Sequence, residues 1–491
     1  MSDENRVRGH RAVERGAGGH GVYDDLLRRI RGNAAQIAVI GLGHVGLPTA
    51  VLFAEAGYRV VGVDAREDLV QAIASAKVPF DEPGIEEPLL RALRTGRLQV
   101  TTSVAEAAGQ VDVVIICVQT PVTEGLEPDL AYLRSACEVL GASLSRGRLV
   151  VIESTVPPMT THGLVAKILE ERSGLKCGQD FWLAHCPERM APGNGLREFN
   201  STARIVGGVD AASSQAAADL FRRVTQGEVI VTRAVSAETA KLAENTFRAV
   251  NIAFANELAL LCESTGVDVA EVIRLANSHP RVRIHNPGPG VGGPCIPKDP
   301  SLLIYAAKKK GLDLEVVLAA RRVNERMPQH VSRLVLRALR HVGRRNGRPK
   351  ICVLGTAYKA GVSSARFSPA EKVIKAIAGR GADVVVFDPH CEETFGARRA
   401  KTIREAAKGA DCIVILTDHD EYKRIDLSVL KDLMNRRAVI VDARRILDPA
   451  QVTECGISYI ALGRGVGEHA GDIRPTSGRR EGSGGPSNRR K

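Results

Sequence analysis

The sequence predicts an α/β protein with two Rossmann-like, doubly wound domains joined by a long central helix and a helical middle region. Two blocks of short β-branched runs alternate with helical patterns, and a long helical stretch separates the blocks. Such alternation is typical of parallel sheets covered by helices. A chain of 491 residues is also too long for one ordinary core, which favours two or three domains.

The first block begins at QIAVIGLGHVGLP (36–48) and ends near EVIVT (228–232). Its apolar runs are short and bounded by polar or glycine-containing segments, so each is predicted to be a strand. Between those two ends, the predicted strands are YRVVGVDA, LQVTT, VDVVIICV, RLVVIEST, DFWLAHCPE and ARIVGG.

The helical pattern SAETAKLAENTFRAVNIAFANELALLCESTG follows the first block. We expect Ser236 to be its N-cap and Gly266 to end it, because these residue types favour those positions. The second block starts at RPKICVLGTAYK (348–359) and contains three more predicted strands, ADVVVFDPH, ADCIVILTDHD and RAVIVDARRIL. The expected domains are a first Rossmann-like domain at 35–233, a helical domain at 234–340 and a second Rossmann-like domain at 341–463.

Composition excludes several functional classes. Residues 1–34 and 464–491 are rich in Gly and Arg and are predicted to be disordered tails, apart from a short helix at VYDDLLRRI. Half of the net charge of +12 lies in these tails, and no basic run is interleaved with aromatic residues, which argues against nucleic-acid binding. No apolar run is long enough to span a membrane, and MSDENRVRGHR does not resemble a signal peptide. We therefore expect a cytoplasmic protein.

The ten cysteines are scattered and form no CxxC pair. Several lie within apolar runs, as in VVIICV, KICVLG and DCIVIL, where they are expected to be inert strand residues. Neither a disulfide framework nor a metal site is predicted from this spacing.

The residues Gly41, Gly43 and Gly46 form a G-x-G-x-x-G pattern directly after a predicted strand and before a helix. They allow a tight turn, a close approach of a pyrophosphate and close helix–strand packing. Asp64 ends the next strand, where a carboxylate binds a ribose 2′-hydroxyl and repels a 2′-phosphate. This context predicts NAD rather than NADP, the alternative being a glycine turn without a cofactor.

The chain resembles the UDP-glucose/UDP-N-acetylmannosamine dehydrogenase family over nearly all of residues 35–463. The motifs, in the family's order, are GLGHVGLP (41–48), VDA (63–65), DEPGIEE (81–87), QTPV (119–122), ESTVPPMTT (153–161), CPERMAPG (186–193), AKLAENTFRAVNIAFANEL (240–258), HPRVRIHNPGPGVGGPCIPKDP (279–300) and GTAYKAGVSSARFSP (355–369). The resemblance implies oxidation of a sugar C6 alcohol to a carboxylate. It also implies an N-terminal domain that binds NAD, a C-terminal domain that helps to bind UDP, and a homodimer or larger assembly.

The loop PGPGVGGPCIPKD (287–299) holds a cysteine among glycines and prolines. The family reaction removes four electrons and consumes two NAD⁺. A thiolate can retain the aldehyde as a thiohemiacetal, which is oxidised to a thioester and hydrolysed. The resemblance places Cys295 at the nucleophile position, with cationic or dipolar help expected for its thiolate. The alternative is a small buried residue.

The resemblance supplies five further catalytic candidates. Lys241 and Asn245 share one helical face at i, i+4 and are expected to stabilise an alkoxide or oxyanion. Thr155 is expected to position the catalytic water and Glu188 to activate it or relay its proton. Asp299 is expected to transfer a proton to or from water.

The same resemblance implies positions that contact the bound molecules. Val45 and Thr120 are assigned to the cofactor site. Four basic residues are assigned to the anionic nucleotide sugar, since two phosphates require cations: Arg281, Lys298, Lys359 and Arg366. Lys298 could equally be a surface lysine.

The forms HPRV and GPGVGGPCIPKD resemble the UDP-N-acetylhexosamine branch, and UDP-N-acetylmannosamine enzymes most of all. UDP-N-acetylglucosamine and UDP-glucose remain rival substrates. The chain departs from that branch at Pro294, where histidine is usual, and at Ser363 and Ser364, where acidic residues are usual. Met159 replaces a usual glycine. Two other classes stay open: an inactive nucleotide-sugar-binding regulator, and a two-electron hydroxy-acid or phosphogluconate dehydrogenase that needs no cysteine.

Overall fold

The computed structural model describes the chain over residues 19–78, 80, 82–123, 125–189, 195–343 and 347–465. Over these residues two sheets, each covered by helices, flank a helical region. This arrangement confirms the predicted α/β class with two Rossmann-like units. The predicted tail segments 1–18 and 466–491 lie outside the described residues.

The first sheet has the strand order β3-β2-β1-β4-β5-β6-β7-β8. Its strands are β1 Gln36–Ile40, β2 Arg59–Val63, β3 Leu98–Thr101, β4 Val113–Ile116, β5 Arg148–Ile152, β6 Phe181–His185, β7 Arg204–Gly208 and β8 Val229–Arg233. The apolar strands β4 and β6 are buried along their whole length, as expected when helices cover both faces of a sheet. One pair departs from the predicted parallel pattern, because β6 and β7 run antiparallel.

Helices cover both faces of this sheet. They are α1 Gly19–Arg31, α2 Gly46–Glu55, α3 Glu67–Ala74, α4 Glu86–Arg94, α5 Val104–Gly109, α6 Ala131–Ser143, a π-helix at Thr160–Val165, α7 Ala166–Ser173, α8 Gly195–Ser201 and α9 Ala211–Phe221. Two hydrophobic clusters, one on each face of the sheet, form the core of this domain.

Helix α1 corrects the prediction that residues 1–34 form a disordered tail. Leu26, Leu27 and Ile30 are buried in the core, and the Tyr23 hydroxyl donates a 2.9 Å hydrogen bond to the Ala212 carbonyl. The apolar face of the short predicted helix is therefore covered by the first domain. That contact stabilises it more than the Gly- and Arg-rich flanks suggest.

The middle region is helical. It consists of α10 Ala234–Thr265, α11 Val269–Asn277, α12 Asp299–Lys308 and α13 Glu315–His341. Gly266 ends α10 with a φ of +79°, as predicted. The N-cap is Arg233 rather than Ser236. Helix α10 begins at the buried residue Ala234, directly after the last residue of β8. Ser236 therefore lies inside the first turn of the helix.

The second sheet is parallel throughout, with the order β11-β10-β9-β12-β13-β14. Its elements are β9 Lys350–Leu354, α14 Pro369–Ala378, β10 Asp383–Phe387, β11 Arg398–Arg399, α15 Ile403–Ala407, β12 Cys412–Ile415, α16 Asp420–Lys423, α17 Leu427–Leu433, β13 Val439–Asp442, α18 Pro449–Glu454 and β14 Ser458–Ala461. The four predicted strands are present. The edge strands β11 and β14 were not predicted, since β11 has only two residues and the burial of β14 is partial.

Strands β1 to β6 are parallel, so their carboxyl ends lie at one edge of the first sheet, and ligands of open α/β sheets bind at that edge. The loops after β1, β4, β5 and β6 and the loop after β9 all contribute to one site. None of the helices in the described ranges combines the length and apolar character that a membrane span requires.

Candidate active site

The loop between β1 and α2 has the geometry of a dinucleotide cradle. Gly41 has a φ of +93°, and a Cβ at Gly46 would lie 1.7 Å from the Gly41 carbonyl oxygen, so neither position admits a side chain. A Cβ at Gly43 would meet no atom within 4 Å. The loop therefore leaves open space above Gly43 and directs the N-terminus of α2 toward it, which fits the diphosphate of NAD.

Asp64 follows β2 beside this loop. Its Oδ2 accepts a 2.8 Å hydrogen bond from the Leu42 backbone N–H, and its Oδ1 accepts one from the Arg66 N–H at 3.0 Å. The carboxylate thus fixes the glycine loop as well as occupying the position expected for a ribose contact. Each oxygen retains lone pairs for a further donor.

Two cavities meet at the loop 287–299. The glycine-loop cavity, of about 310 Å³, is bounded by Gly43, Val45, Thr120 and Thr155 among others. The helix cavity, of about 440 Å³, is bounded by the α10 residues Lys241, Glu244, Asn245 and Arg248 and by the loop itself. Over the described residues, three side chains line both cavities: Pro294, Cys295 and Tyr358.

Cys295 therefore lies in the wall between the two cavities. It is half-buried, and burial is the main cause that raises the pKa of its thiol, with the Asp299 carboxylate adding to the effect. The ammonium groups of Lys241 and Lys298 act in the opposite direction. The expected cationic help is present, but burial outweighs it, so the resting thiol is protonated at neutral pH.

Lys241 is buried on α10 and faces Glu188, which follows β6. The Lys241 Nζ lies 3.6 Å from the Glu188 Oε2. Burial lowers the pKa of Lys241, but the combined effect of Glu188, Asp299, Cys295 and Glu244 raises it above its ordinary value. Lys241 is thus a fixed positive charge beside Cys295 rather than a proton acceptor.

Asn245 lies one turn beyond Lys241, as the i, i+4 spacing predicts. Its amide donates a 2.6 Å hydrogen bond to the Asp299 Oδ2. Asp299 is buried at the start of α12, and burial raises its pKa although Lys298 and Lys241 oppose the shift. Its Oδ1 has no hydrogen-bond partner in the described part of the chain. A buried carboxylate with a raised pKa and an oxygen that accepts no hydrogen bond is suited to accept a proton.

Lys298 connects the loop 287–299, called the catalytic loop below, to the first domain. Its Nζ donates a 3.1 Å hydrogen bond to the Thr120 carbonyl and lies 3.8 Å from the Asp299 Oδ1. The Thr120 hydroxyl in turn donates to the Thr155 carbonyl at 2.6 Å. Lys298 is largely buried and is not a surface lysine. It ties the loop of Cys295 to the strand-end loops that carry Thr120 and Thr155.

The basic residues assigned to the sugar nucleotide separate into three places. Lys359 lines the helix cavity. Arg366 lines the glycine-loop cavity, together with Ser363 and Ser364, so this part of the motif does not face the helix cavity. Arg281 is exposed and lines neither cavity.

Three residues of the site were not predicted. Arg189, Arg248 and Arg444 add positive charge to the helix cavity. Arg444 follows β13 and is held by hydrogen bonds of 3.1 and 2.5 Å to the Asp418 Oδ1. A sequence signal existed for Arg444, because it lies just past the carboxyl end of a predicted parallel strand. No comparable signal marks Arg248, which lies inside a helix.

A group of potential metal ligands, His390, His419 and Glu421, lies outside these cavities' walls. The His419 Nδ1 accepts a hydrogen bond from the Gly361 N–H, so its Nε2 carries the proton and donates to Asp388 at 3.2 Å. Both ring nitrogens of His419 therefore have hydrogen-bond partners within the protein.

Models of three domains of one enzyme family match the chain in order. They describe the NAD binding domain (residues 35–225), the central domain (235–326) and the UDP binding domain (352–449). The chain belongs to the UDP-glucose/GDP-mannose dehydrogenase family. It is an NAD-dependent UDP-sugar dehydrogenase.

Individual relatives of this dehydrogenase cover nearly their full lengths. The UDP-N-acetyl-D-mannosamine dehydrogenase of Pyrococcus horikoshii is 44% identical over 430 residues, covering 88% of this chain and 99% of the relative. The NDP-N-acetyl-D-galactosaminuronic acid dehydrogenase of Ralstonia solanacearum is 37% identical over 427 residues, covering 85% and 97%.

Solved structures agree with these relatives. A UDP-D-ManNAc dehydrogenase from Pyrococcus horikoshii superposes with a TM-score of 0.82 at 43% identity, covering 87% of this chain and 99% of the other. A UDP-glucose dehydrogenase from Pyrobaculum islandicum gives a TM-score of 0.78 at 32% identity, covering 87% and 98%. The dehydrogenase described here thus resembles enzymes named for different sugars.

Proposed function

We propose that this dehydrogenase oxidises UDP-N-acetyl-D-mannosamine to UDP-N-acetyl-D-mannosaminuronate through a covalent intermediate on Cys295. One observation carries the proposal: Cys295 lies in the wall between the glycine-loop cavity and the helix cavity. A nucleophile in that wall can hold a sugar carbon where both a cofactor and catalytic side chains reach it. A two-electron dehydrogenase would have no use for a thiol there.

The first oxidation converts the C6 alcohol to an aldehyde. NAD⁺, when bound, accepts a hydride in each of the two oxidations. In this chain the ammonium of Lys241 and the amide of Asn245 stabilise the oxygen as its negative charge develops. The Asp299 carboxylate accepts the hydroxyl proton, directly or through water, because its raised pKa makes it a stronger base than an exposed carboxylate.

The second oxidation proceeds on the enzyme. The Cys295 sulfur adds to the aldehyde carbon and its proton passes to the aldehyde oxygen, directly or through water, giving a thiohemiacetal whose oxygen faces Lys241. Loss of a hydride from carbon and of the hydroxyl proton to water gives a thioester. Water then adds to the thioester carbon, the carbon–sulfur bond breaks, and the carboxylate, a proton and the Cys295 thiol are released. Glu188 activates this water and Thr155 positions it. The 3.6 Å separation of Glu188 from Lys241 keeps the two groups at one reacting centre.

The sugar nucleotide occupies the helix cavity. Lys359, Arg248 and Arg444 supply the positive charge that a diphosphate requires. Arg189, which follows Glu188, is fixed by a 2.7 Å ion pair with Glu244 on α10. UDP-N-acetyl-D-mannosamine is favoured over UDP-N-acetylglucosamine and UDP-glucose by the branch motifs and by two relatives, 44% and 38% identical, that are named for that sugar.

A homodimer is the assembly that α10 supports. Phe247, Phe254 and Leu261 are 61%, 49% and 57% exposed and are spaced seven residues apart, so they form one apolar stripe. The stripe lies nearly opposite Asn245 on the helix. Pairing of this stripe with that of a second chain would cover it.

Because all ten cysteines are free, a reducing compartment suits the chain, and we place the reaction in the cytoplasm.

A substrate panel tests the proposal. Purified protein is incubated with NAD⁺ and each of UDP-N-acetylmannosamine, UDP-N-acetylglucosamine, UDP-N-acetylgalactosamine and UDP-glucose, and NADH is measured at 340 nm. We expect two NADH per sugar and the highest kcat/KM with the first. One NADH per sugar would refute the thioester route. No NADH from any sugar would refute the enzyme and favour a nucleotide-sugar-binding regulator.

A further inference from the structure

Tyr358 has no role in the reaction described so far, yet it lines both cavities beside Cys295. It follows β9 in the segment 355–369, which reaches from the second Rossmann-like domain to the catalytic loop. No other residue of that domain borders both cavities over the described chain. Its side chain is therefore placed at the reacting end of the site.

The Tyr358 ring is fixed by the catalytic loop. A Cβ at Gly293, where φ is +90°, would lie 2.6 Å from the Tyr358 Cε2, so the ring packs directly on the loop backbone. The Gly293 N–H also donates a 2.9 Å hydrogen bond to the Arg366 carbonyl, and the Tyr358 N–H donates to the Ser364 carbonyl at 3.1 Å. Because loop and segment hold each other, the position of the hydroxyl is set before a ligand binds.

The Tyr358 hydroxyl makes no hydrogen bond with any residue that the structure describes. Burial raises the pKa of the phenol, and the negative charge of Cys295 raises it further when that residue is a thiolate. The phenol thus stays protonated during the reaction and remains a donor. A fixed, half-buried donor without a protein partner at a cavity wall is suited to a ligand oxygen.

We propose that the Tyr358 hydroxyl donates a hydrogen bond to the sugar 4-hydroxyl oxygen, next to the C5–C6 bond at whose end Cys295 reacts. Tyr358 then positions C6 against the thiol and contributes to the choice of sugar. The basic residues of the helix cavity hold the UDP portion, so the contact of Tyr358 is confined to the sugar. This inference rests on the proposed function.

The test is Tyr358→Phe, which removes the hydroxyl and retains the ring that packs on Gly293. We expect kcat/KM for UDP-N-acetylmannosamine to fall about tenfold or more, while the Kd values of UDP and NAD⁺, measured by calorimetry, stay within about twofold. Tyr305→Phe is the matched control, because Tyr305 lies on α12 outside both cavities. It should leave all of these constants unchanged.

A 4-deoxy analogue of the substrate identifies the oxygen. If the Tyr358 hydroxyl donates a hydrogen bond to the C4 hydroxyl, the wild type and Tyr358→Phe should have the same kcat/KM for the 4-deoxy analogue. The proposal would be overturned if Tyr358→Phe had the wild-type kcat/KM for UDP-N-acetylmannosamine. It would also be overturned if the variant lost UDP affinity by the same factor as kcat/KM, or if the variant reduced kcat/KM for the 4-deoxy analogue as much as for the parent sugar. Failure of the wild type itself to form NADH would instead refute the proposed function.

Discussion

Gly43 in the loop after β1 and Gly293 in the catalytic loop have opposite surroundings, although Gly41 and Gly46 of the first loop are also closely packed. In the loop of the first domain, the space beside Gly43 is empty to 4 Å. In the catalytic loop, the space beside Gly293 is filled by the Tyr358 ring, and the space beside Gly292 by the Phe367 carbonyl at 2.8 Å. The first loop uses glycine to admit a ligand. The second uses it to admit another part of the protein, which fixes Cys295.

This difference predicts that substitutions of the packed glycines in the catalytic loop lower both the stability of the protein and its kcat. Gly293→Ala places a methyl group 2.6 Å from the Tyr358 ring at a φ of +90°, so the loop must shift. We expect kcat to fall by about two orders of magnitude or more, because a misplacement of about 1 Å has that effect. We also expect destabilisation of about 1–3 kcal/mol. Steady-state kinetics and thermal unfolding measure the two effects. An unchanged Tm with full activity would show that the close packing is not required.

The first loop should respond differently. Gly43→Ala puts a methyl group into open space on the cavity wall, where the diphosphate approaches. We expect the Kd of NAD⁺ to rise by about tenfold, equivalent to about 1.4 kcal/mol. The Tm of the free protein should remain within about 1 °C. If Gly43→Ala lowers the Tm as Gly293→Ala does, the contrast between the loops fails.

The charge around the thiol can be tested through pH. The pKa of Cys295 is raised by burial and lowered by Lys241, so the rate of alkylation by iodoacetamide should increase with pH, with a midpoint above the ordinary thiol value. Lys241→Met removes the cation that lowers this pKa. The midpoint should move upward, and the rate at pH 8 should fall about threefold or more, corresponding to about half a pKa unit. Lys167→Met on exposed α7 is the control, because Lys167 is 72% exposed at its side chain and lies outside both cavities.

Met159 extends the comparison to a position where a substitution should change the free energy of unfolding only slightly. Met159 has a φ of +73° at the N-terminus of the π-helix, a conformation that favours glycine. Its N–H donates to the buried Glu238 carboxylate at 2.6 Å, which holds the strained conformation. Met159→Gly relieves the left-handed strain but increases the entropy of the unfolded chain. The balance should be a stabilisation of about 0.5 kcal/mol, measured by urea unfolding. A loss of stability would show that the Met159 side chain, although exposed, contributes contacts.

Local patterns predicted the architecture well, because buried β-branched runs and their glycine or proline borders specify strands without long-range information. The glycine turn and the position of Asp64 could also be predicted from a short stretch of sequence. The helix at Gly19–Arg31 was underestimated, because the domain surface that buries it is distant in sequence. The antiparallel pair β6–β7 was missed for a related reason, since strand direction depends on the connection rather than on composition.

The site shows the same division. Lys241 and Asn245 could be paired from their helical spacing. The hydrogen bond from Lys298 to Thr120 spans 178 positions, and no pattern in the sequence indicates it. Arg366 and Lys359 belong to one motif, yet the turn after β9 sends them to different cavities. Proximity across domains, rather than residue type, was the information that the sequence lacked.

The central claim is that Cys295 forms the covalent bond that carries the second oxidation. Cys295→Ser keeps the size of the side chain and removes the thiolate. Wild-type enzyme should yield two NADH and one carboxylate per UDP-N-acetylmannosamine. In the variant, carboxylate formation, followed by mass spectrometry, should fall at least about a thousandfold, while the Kd of NAD⁺ is unchanged. Full production of carboxylate with two NADH by Cys295→Ser would contradict the account.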